Sequence, residues 1–249
     1  MSNKADIETN QITSLLFNWL KVRLTTESLR WLELKIATIT ESAVEKTLFT
    51  AFSAVPRYLG KAPLSLSIKE LETARQLIPG WNPINWTVDQ AGRTLLLLSF
   101  KIEDRECYVA TIDKILAAAD VDETISFYQS LALLPYPEAF CWRAAEGVRT
   151  NMTSVFNAVA LNNPYPAKYL DDLAWNQMVL KALFVGTPLH PIYGLKRRNN
   201  QQLSQMLIDY ANERLAAKRT VSPELWELVI AFQPKVATEL KYSSQAVCS

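Results

Sequence analysis

The sequence predicts an all-α fold: an antiparallel helical array, arranged either as a HEAT-like helical-repeat solenoid or as a multi-helix bundle. Three observations carry that prediction. Apolar residues recur every three to four positions from end to end, and alternating strand patterns are hard to find. Glycine is scarce, 6 in 249 residues, and no Asn-Gly or Asp-Gly hairpin turn occurs. The connections are mostly short and proline-rich, as in "AVPRYLGKAP", "IPGWNPINW", "LLPYPEAF" and "GTPLHPIYG". Links that tight make neighbouring helices antiparallel, about ten or more in all.

Taken in order, Leu15, Leu16, Trp19, Leu20 and Val22 open a first helix, and Leu29, Leu32, Ile36 and Ile39 carry a second apolar stripe. Ser67 and Glu70 have the spacing of a capping box. Proline, glycine and asparagine cluster between 79 and 86 without a charge block or low-complexity run. That reads as a subdomain hinge inside a single all-helical domain over 1–249. "PYP" occurs at Pro135–Pro137 and again at Pro164–Pro166, each ahead of a helical pattern, which hints at a degenerate helix-pair repeat. Ser222 before Pro223 marks another helix start. The closing "KYSSQAVCS" reads as a frayed end.

The segment "EAFCWRAAEGVRTNMTSVFNAV" places Phe140, Ala144, Val148, Met152, Val155 and Val159 on one face if a helix runs on through Gly147. Arg143, Glu146, Thr150, Thr153 and Asn157 then gather on the other. Glu146 lies three residues from both Arg143 and Arg149, so either ion pair is available. Two arginines around one glutamate also form a fork for a carboxylate or phosphate. Thr150, Asn151, Thr153, Ser154 and Asn157 are poor helix formers for a merely solvated face. The segment is therefore a candidate groove as well as a solvated surface.

In "DDLAWNQMVLKALFVGTPLHPIYGLKRRNN", helical phase puts Asn176 among Val179, Leu180 and Leu183. Gln177 falls nearer Lys181 and Phe184, at the edge of the apolar arc. A buried amide without partners costs about 1–3 kcal/mol. Asn176 is thus either a structural tie to a neighbouring helix end or a polar tooth in an apolar pocket. Lys196, Arg197 and Arg198 stand just before a helix that Asn199 or Asn200 caps, where cations can hold an anion or lipid headgroup. A solvated turn is the plain alternative.

Composition narrows the function classes. The chain carries 26 Lys+Arg against 25 Asp+Glu, a formal charge of +1, so no nucleic-acid partner is expected. His190, between two prolines, is the one histidine, which removes His-rich zinc and iron sites and leaves no ready Ser-His-Asp triad. It reads as a turn residue. Cys107, Cys141 and Cys248 show no metal-ligand spacing. Asp171-Asp172 lacks the further downstream acid of a magnesium-binding prenyl-diphosphate motif. No catalytic residue, metal or cofactor is assigned. "MSNKADIETNQ" lacks a secretory pattern, and "LLLLSF" is far too short to span a membrane. A cytoplasmic protein, at most peripheral to the inner membrane, is expected.

"NPYPAKYLDDLAWNQMVLKALFVGTPL" and "IYGLKRRNNQQLSQMLIDYANERLAAKRTVSPELWELV", preceded by "FCWRAAEGVRTNMTSVFNAV", resemble the EboA family of metabolite-traffic proteins over residues 134–229. Two positions depart from the family pattern: Asn212, where histidine is common, and Lys218, where glycine is common. The resemblance implies a bacterial operon whose neighbours include a UbiA-type membrane prenyltransferase, a sugar-phosphate cyclase and metal-dependent hydrolases or isomerases. It implies a part in moving or maturing secondary metabolites, scytonemin precursors among them. It supplies no catalytic residues. Three readings follow: a non-catalytic adaptor or carrier for a prenylated or aromatic metabolite alongside its operon partner enzymes; an enzyme using Glu146, Asp171 or Asp172 with Arg143 and Arg149; or a pure assembly scaffold. For the carrier, the candidate ligand-binding residues are Arg143, Glu146, Arg149, Asn151, Asn157, Asn176, Gln177 and Lys181.

Overall fold

In the computed structural model, which describes residues 4–247, fourteen α-helices follow one another. The extended pairing among the described residues is one isolated bridge, Pro63 to Thr87. The chain divides into two compact units, Met1–Tyr165 and Pro166–Ser249.

The first unit comprises α1 (Lys4–Lys21), α2 (Thr26–Ser42), α3 (Glu45–Leu59), α4 (Ile68–Leu77), α5 (Val88–Ser99), α6 (Arg105–Ala118), α7 (Val121–Ser130), α8 (Cys141–Arg149) and α9 (Thr153–Ala160). Helix α5 runs through its middle, packed against α1, α2, α3 and α7 and buried at nearly every position. That explains "LLLLSF": a helix covered all round is apolar all round. A helix touching four others makes a bundle about a centre, not a ladder of nearest-neighbour pairs. Leu16, Trp19 and Leu20 of α1 are buried as expected. Val22 is not; α1 ends at Lys21 and leaves it exposed.

Two charges sit inside this apolar centre. Asp89 and Arg93, one turn apart on α5, form an ion pair at 2.9 Å with both side chains almost wholly buried. Arg93 Nε also donates to the Phe52 carbonyl at 3.3 Å, and its guanidinium lies over the Phe52 ring. Breaking such a pair from one side strands a buried charge, which is far costlier than removing both partners.

The capping box of Ser67 and Glu70 forms as its spacing predicts. Two further boxes, Thr87 with Gln90 and Asp120 with Glu123, start α5 and α7. Arg23, just past α1, donates to the Trp19 carbonyl at 2.9 Å and pairs with Glu70 at 2.9 Å. The stretch 79–86, read as a hinge, lies inside the first unit. Trp81 packs 5.6 Å from Trp19 and 5.8 Å from Trp86, and Leu64 N–H donates to the Trp86 carbonyl at 2.8 Å. The division between units falls instead after Tyr165.

The helix expected to run through Gly147 does pass it but stops at Arg149. Thr150 turns to ψ 147°, and Met152 N–H donates to the Thr150 hydroxyl at 3.2 Å before α9 begins. The single apolar face is therefore divided between two helices, and Met152 is exposed. The poor helix formers read as a groove signal mark this break as well. Gly147 is required by packing: a Cβ there would lie 2.6 Å from the Tyr128 ring and 2.8 Å from Val159. The two "PYP" motifs differ locally, since Tyr136 is left-handed at φ 53° ahead of a 3-10 turn at Pro137–Phe140. They nonetheless meet, because the Tyr165 hydroxyl donates to the Pro137 carbonyl at 2.5 Å.

Helix α10 (Tyr165–Tyr169) begins at the last residue of the first unit, and the second unit holds α11 (Asp172–Val185), α12 (Gln201–Ala216), α13 (Pro223–Ile230) and α14 (Pro234–Val247). Helix α12 packs against α11, α13 and α14. Asp171 caps α11 by accepting from Ala174 N–H, and left-handed Gly186 ends it. Pro223 stands in the first turn of α13, though Ser222 makes no side-chain capping bond. The closing segment, expected to fray, is helical to Val247; Cys248 lies outside the described residues.

Candidate functional site

In the second unit, Asn176 is completely buried and exchanges a reciprocal amide pair with Asn200. Asn176 Nδ2 donates to Asn200 Oδ1 at 3.2 Å, and Asn200 Nδ2 donates to Asn176 Oδ1 at 2.9 Å. Asn200 Oδ1 also accepts from Leu203 N–H at 2.8 Å, capping α12. Of the two roles open to Asn176, the geometry shows the tie: α11 grips the start of α12 through two amides. Gln177 is exposed, and Lys181 is half-buried, its ammonium pKa lowered by desolvation.

The basic cluster splits three ways. Arg198 turns inward, donating to the Leu170 carbonyl at 2.6 Å and to the Pro166 carbonyl at 3.3 Å, pairing with Asp172 and covering the Trp175 ring at 4.9 Å. It reinforces the end of α10, where the Pro166 carbonyl also accepts from Leu170 N–H at 3.2 Å. Lys196 reaches Glu227 at 3.0 Å across an exposed rim. Arg197 lies over the Tyr193 ring at 5.3 Å and has no carboxylate partner among the described residues.

Lys196 and Arg197 border a cleft of about 590 Å³ between the 189–197 loop and α13. Leu189, Ile192, Leu195 and Leu228 supply its apolar walls. Glu224 fastens the loop to α13, accepting from the backbone N–H groups of Leu189 and His190, each at 2.9 Å, with His190 Nδ1 at 3.2 Å. Partial burial pushes the Glu224 carboxyl up, but those hydrogen bonds prevail and hold it below its usual value. His190 is thus an exposed turn residue. Glu224 and Leu228 have no local signal in the sequence, because they join the loop from α13 more than thirty residues on. The interleaving of apolar and cationic residues in "IYGLKRR" is the one visible trace of the cleft.

In the first unit, Arg143 pairs with Asp113 at 2.8 Å and with Glu146 at 3.3 Å, and its guanidinium stacks on Trp142 at 4.0 Å. Arg149 forms no ion pair with Glu146 among the described residues, so the two-arginine fork does not form. The Tyr128 hydroxyl donates to the Arg143 carbonyl at 3.0 Å, and burial, with the nearby Glu146 charge, pushes its pKa up to about 12. Asn151 is exposed. Asn157 lines a separate polar cleft of about 200 Å³. No three His, Cys, Asp or Glu side chains are grouped as metal ligands among the described residues. No described helix is long and apolar enough to cross a membrane.

The sequence model of the EboA family, described as "Metabolite traffic protein EboA", matches residues 12–230. The chain belongs to the EboA family. The match covers both units and extends well ahead of the 134–229 stretch that carries the resemblance most visibly. Membership suggests a metabolite-traffic protein. No curated protein and no solved structure matches the chain.

Proposed function

We propose that this member of the EboA family is a non-catalytic adaptor or carrier. It would hold a prenylated or aromatic metabolite of the scytonemin-precursor kind in the second-unit cleft. The observation that carries this reading is the cleft itself: apolar walls from Leu189, Ile192, Leu195 and Leu228, with Lys196 and Arg197 at the mouth. Apolar walls with a few placed polar groups suit an amphipathic ligand, and Arg197 is the cation most available to an anionic end.

Against the alternative enzyme reading, each of its acidic candidates already has a structural partner. Glu146 pairs with Arg143, Asp171 caps α11 and Asp172 pairs with Arg198. The operon partners, a UbiA-type membrane prenyltransferase among them, belong to the same proposal: the carrier would pass its cargo to or from them in the cytoplasm or at the inner-membrane surface. Exposed Leu173, Phe184, Ile230 and Phe232 favour an apolar partner contact, as the scaffold reading requires.

Native mass spectrometry of the protein purified from its own host tests the reading. A copurifying hydrophobic or aromatic compound is expected, and it should be lost from a Leu228→Glu variant that remains folded. A copurifying protein with no small molecule would favour the scaffold.

A further inference from the structure

The polar cleft of the first unit is built from chemistry opposite to that of the second. Carboxamides wall it: Asn82, Asn85, Gln129, Asn157, Asn162 and Asn163, from α7, α9 and the loops at 82–86 and 161–163. No ionisable side chain lines it.

Part of this wall is fixed by its own hydrogen bonds. Asn82 N–H donates to the Asn162 carbonyl at 3.1 Å, and Asn82 Nδ2 donates to Asn162 Oδ1 at 3.0 Å. Asn162 takes the left-handed conformation at φ 56°, which asparagine tolerates better than most residues. Asn163 Nδ2 donates to the Tyr128 and Ala158 carbonyls at 2.9 and 3.1 Å, and its Oδ1 accepts from Tyr165 N–H at 3.0 Å. Asn163 therefore supports the wall and has little left for a ligand.

Other members are not used up. Gln129 Oε1 is shielded from solvent and has no hydrogen-bond partner. Among the described residues, the side chains of Asn85 and Ser154, both on the cleft, make no hydrogen bond either. Gln129 Oε1, out of reach of solvent, is also out of reach of a group in the cleft, so Asn85 and Ser154 are the members open to a ligand.

We propose that this cleft binds a neutral, polyhydroxylated molecule about the size of one sugar ring, with the Asn85 carboxamide and the Ser154 hydroxyl exchanging hydrogen bonds with its hydroxyls. A hydroxyl both donates and accepts, as do the carboxamide and serine groups that face it. A charged ligand would lack a counter-charge in the lining, and an apolar one would displace water from the carboxamides and the hydroxyl without replacing its hydrogen bonds. At about 200 Å³ the cleft lies below the usual range for drug-sized ligands, which fits a single ring. The proposal concerns a different unit from the carrier cleft and does not depend on that reading.

Ligand-observed NMR titration of the full chain with myo-inositol and D-glucose, beside D-glucose 6-phosphate, is the test. Saturable binding of at least one neutral polyol is expected, with the phosphate at least tenfold weaker than glucose or not bound. Asn85→Leu should weaken the bound polyol about tenfold without lowering thermal stability, because the Asn85 side chain makes no hydrogen bond among the described residues. Ser154→Ala, on the exposed side of α9, serves the same purpose if Asn85→Leu fails to fold. Absence of saturable polyol binding, equal or tighter phosphate binding, or unchanged affinity in the folded variants would each overturn the proposal.

Discussion

Charge and amide exchange places between the two units. In the first, an ion pair of Asp89 and Arg93 is enclosed by the core, and amides line the cleft. In the second, the Asn176–Asn200 amide pair is enclosed, and charged groups rim the cleft. The difference teaches that inward phase alone does not make a polar residue a binding group. What matters is whether the fold closes its hydrogen bonds. Asn176, Asp89 and Arg93 are closed by protein partners, whereas the Asn85 and Ser154 side chains and the Arg197 guanidinium are left open toward clefts.

That contrast can be broken most forcefully at the ion pair. Asp89→Leu strands Arg93 in the core and should cost about 3–5 kcal/mol in chemical denaturation. Adding Arg93→Met should recover most of the loss; a double variant as unstable as the single would show that the charges do more than answer each other.

The amide tie comes next. Asn176→Leu leaves the Asn200 amide without its partner and should destabilise the second unit by about 1–3 kcal/mol. Retention of the copurifying metabolite should be unchanged per folded molecule. Loss of the metabolite at full stability would instead make Asn176 a pocket group.

Smaller effects sharpen the same picture at helix ends. Lys218 follows α12 in the left-handed region at φ 54°, at a position where the family resemblance implies glycine. Lys218→Gly should stabilise the chain by up to about 1 kcal/mol, and Ala43→Gly, at the left-handed cap of α2, should do the same for the first unit. A thermal melt that fails to rise for either would show that the backbone strain is met elsewhere.

The smallest expected effect is a pH dependence. Glu224 is held below its ordinary value by the backbone of Leu189 and His190. Its contribution is present above the unfolded carboxylate value of about 4.3 and is lost as pH falls through the lower folded value. Glu224→Gln should therefore flatten the acid limb of a stability profile and leave the profile above pH 6 unchanged in slope.

Much of the helical framework was legible because its signals are local. The apolar stripes of α1 and α2, the Ser67–Glu70 box and the inward phase of Asn176 all depend on neighbours within one or two turns. The partner of Asn176 was not legible as such, since Asn200 lies 24 residues away and its own local reading is a helix cap. The Asp89–Arg93 pair is spaced for an ordinary surface pair; only the burial of α5 by four other helices makes it internal. The break after Arg149 misled for a physical reason. Thr150, Asn151, Thr153 and Ser154 are poor in a helix both where a helix ends and where polar groups are wanted, and here they do both: the chain turns at Thr150, and Ser154 with Asn157 then faces the polar cleft. Neither cleft follows from periodicity, because each is assembled from loops and helices distant in sequence.

Photo-cross-linking with a benzophenone-bearing prenyl alcohol, followed by peptide mass spectrometry, tests the carrier reading most directly. Saturable labelling of the peptides spanning 189–197 and 224–228, competed by unlabelled farnesol, is the predicted result. Labelling that does not saturate, or that falls on the exposed Leu173 and Phe184 face and leaves the cleft unmarked, would contradict it.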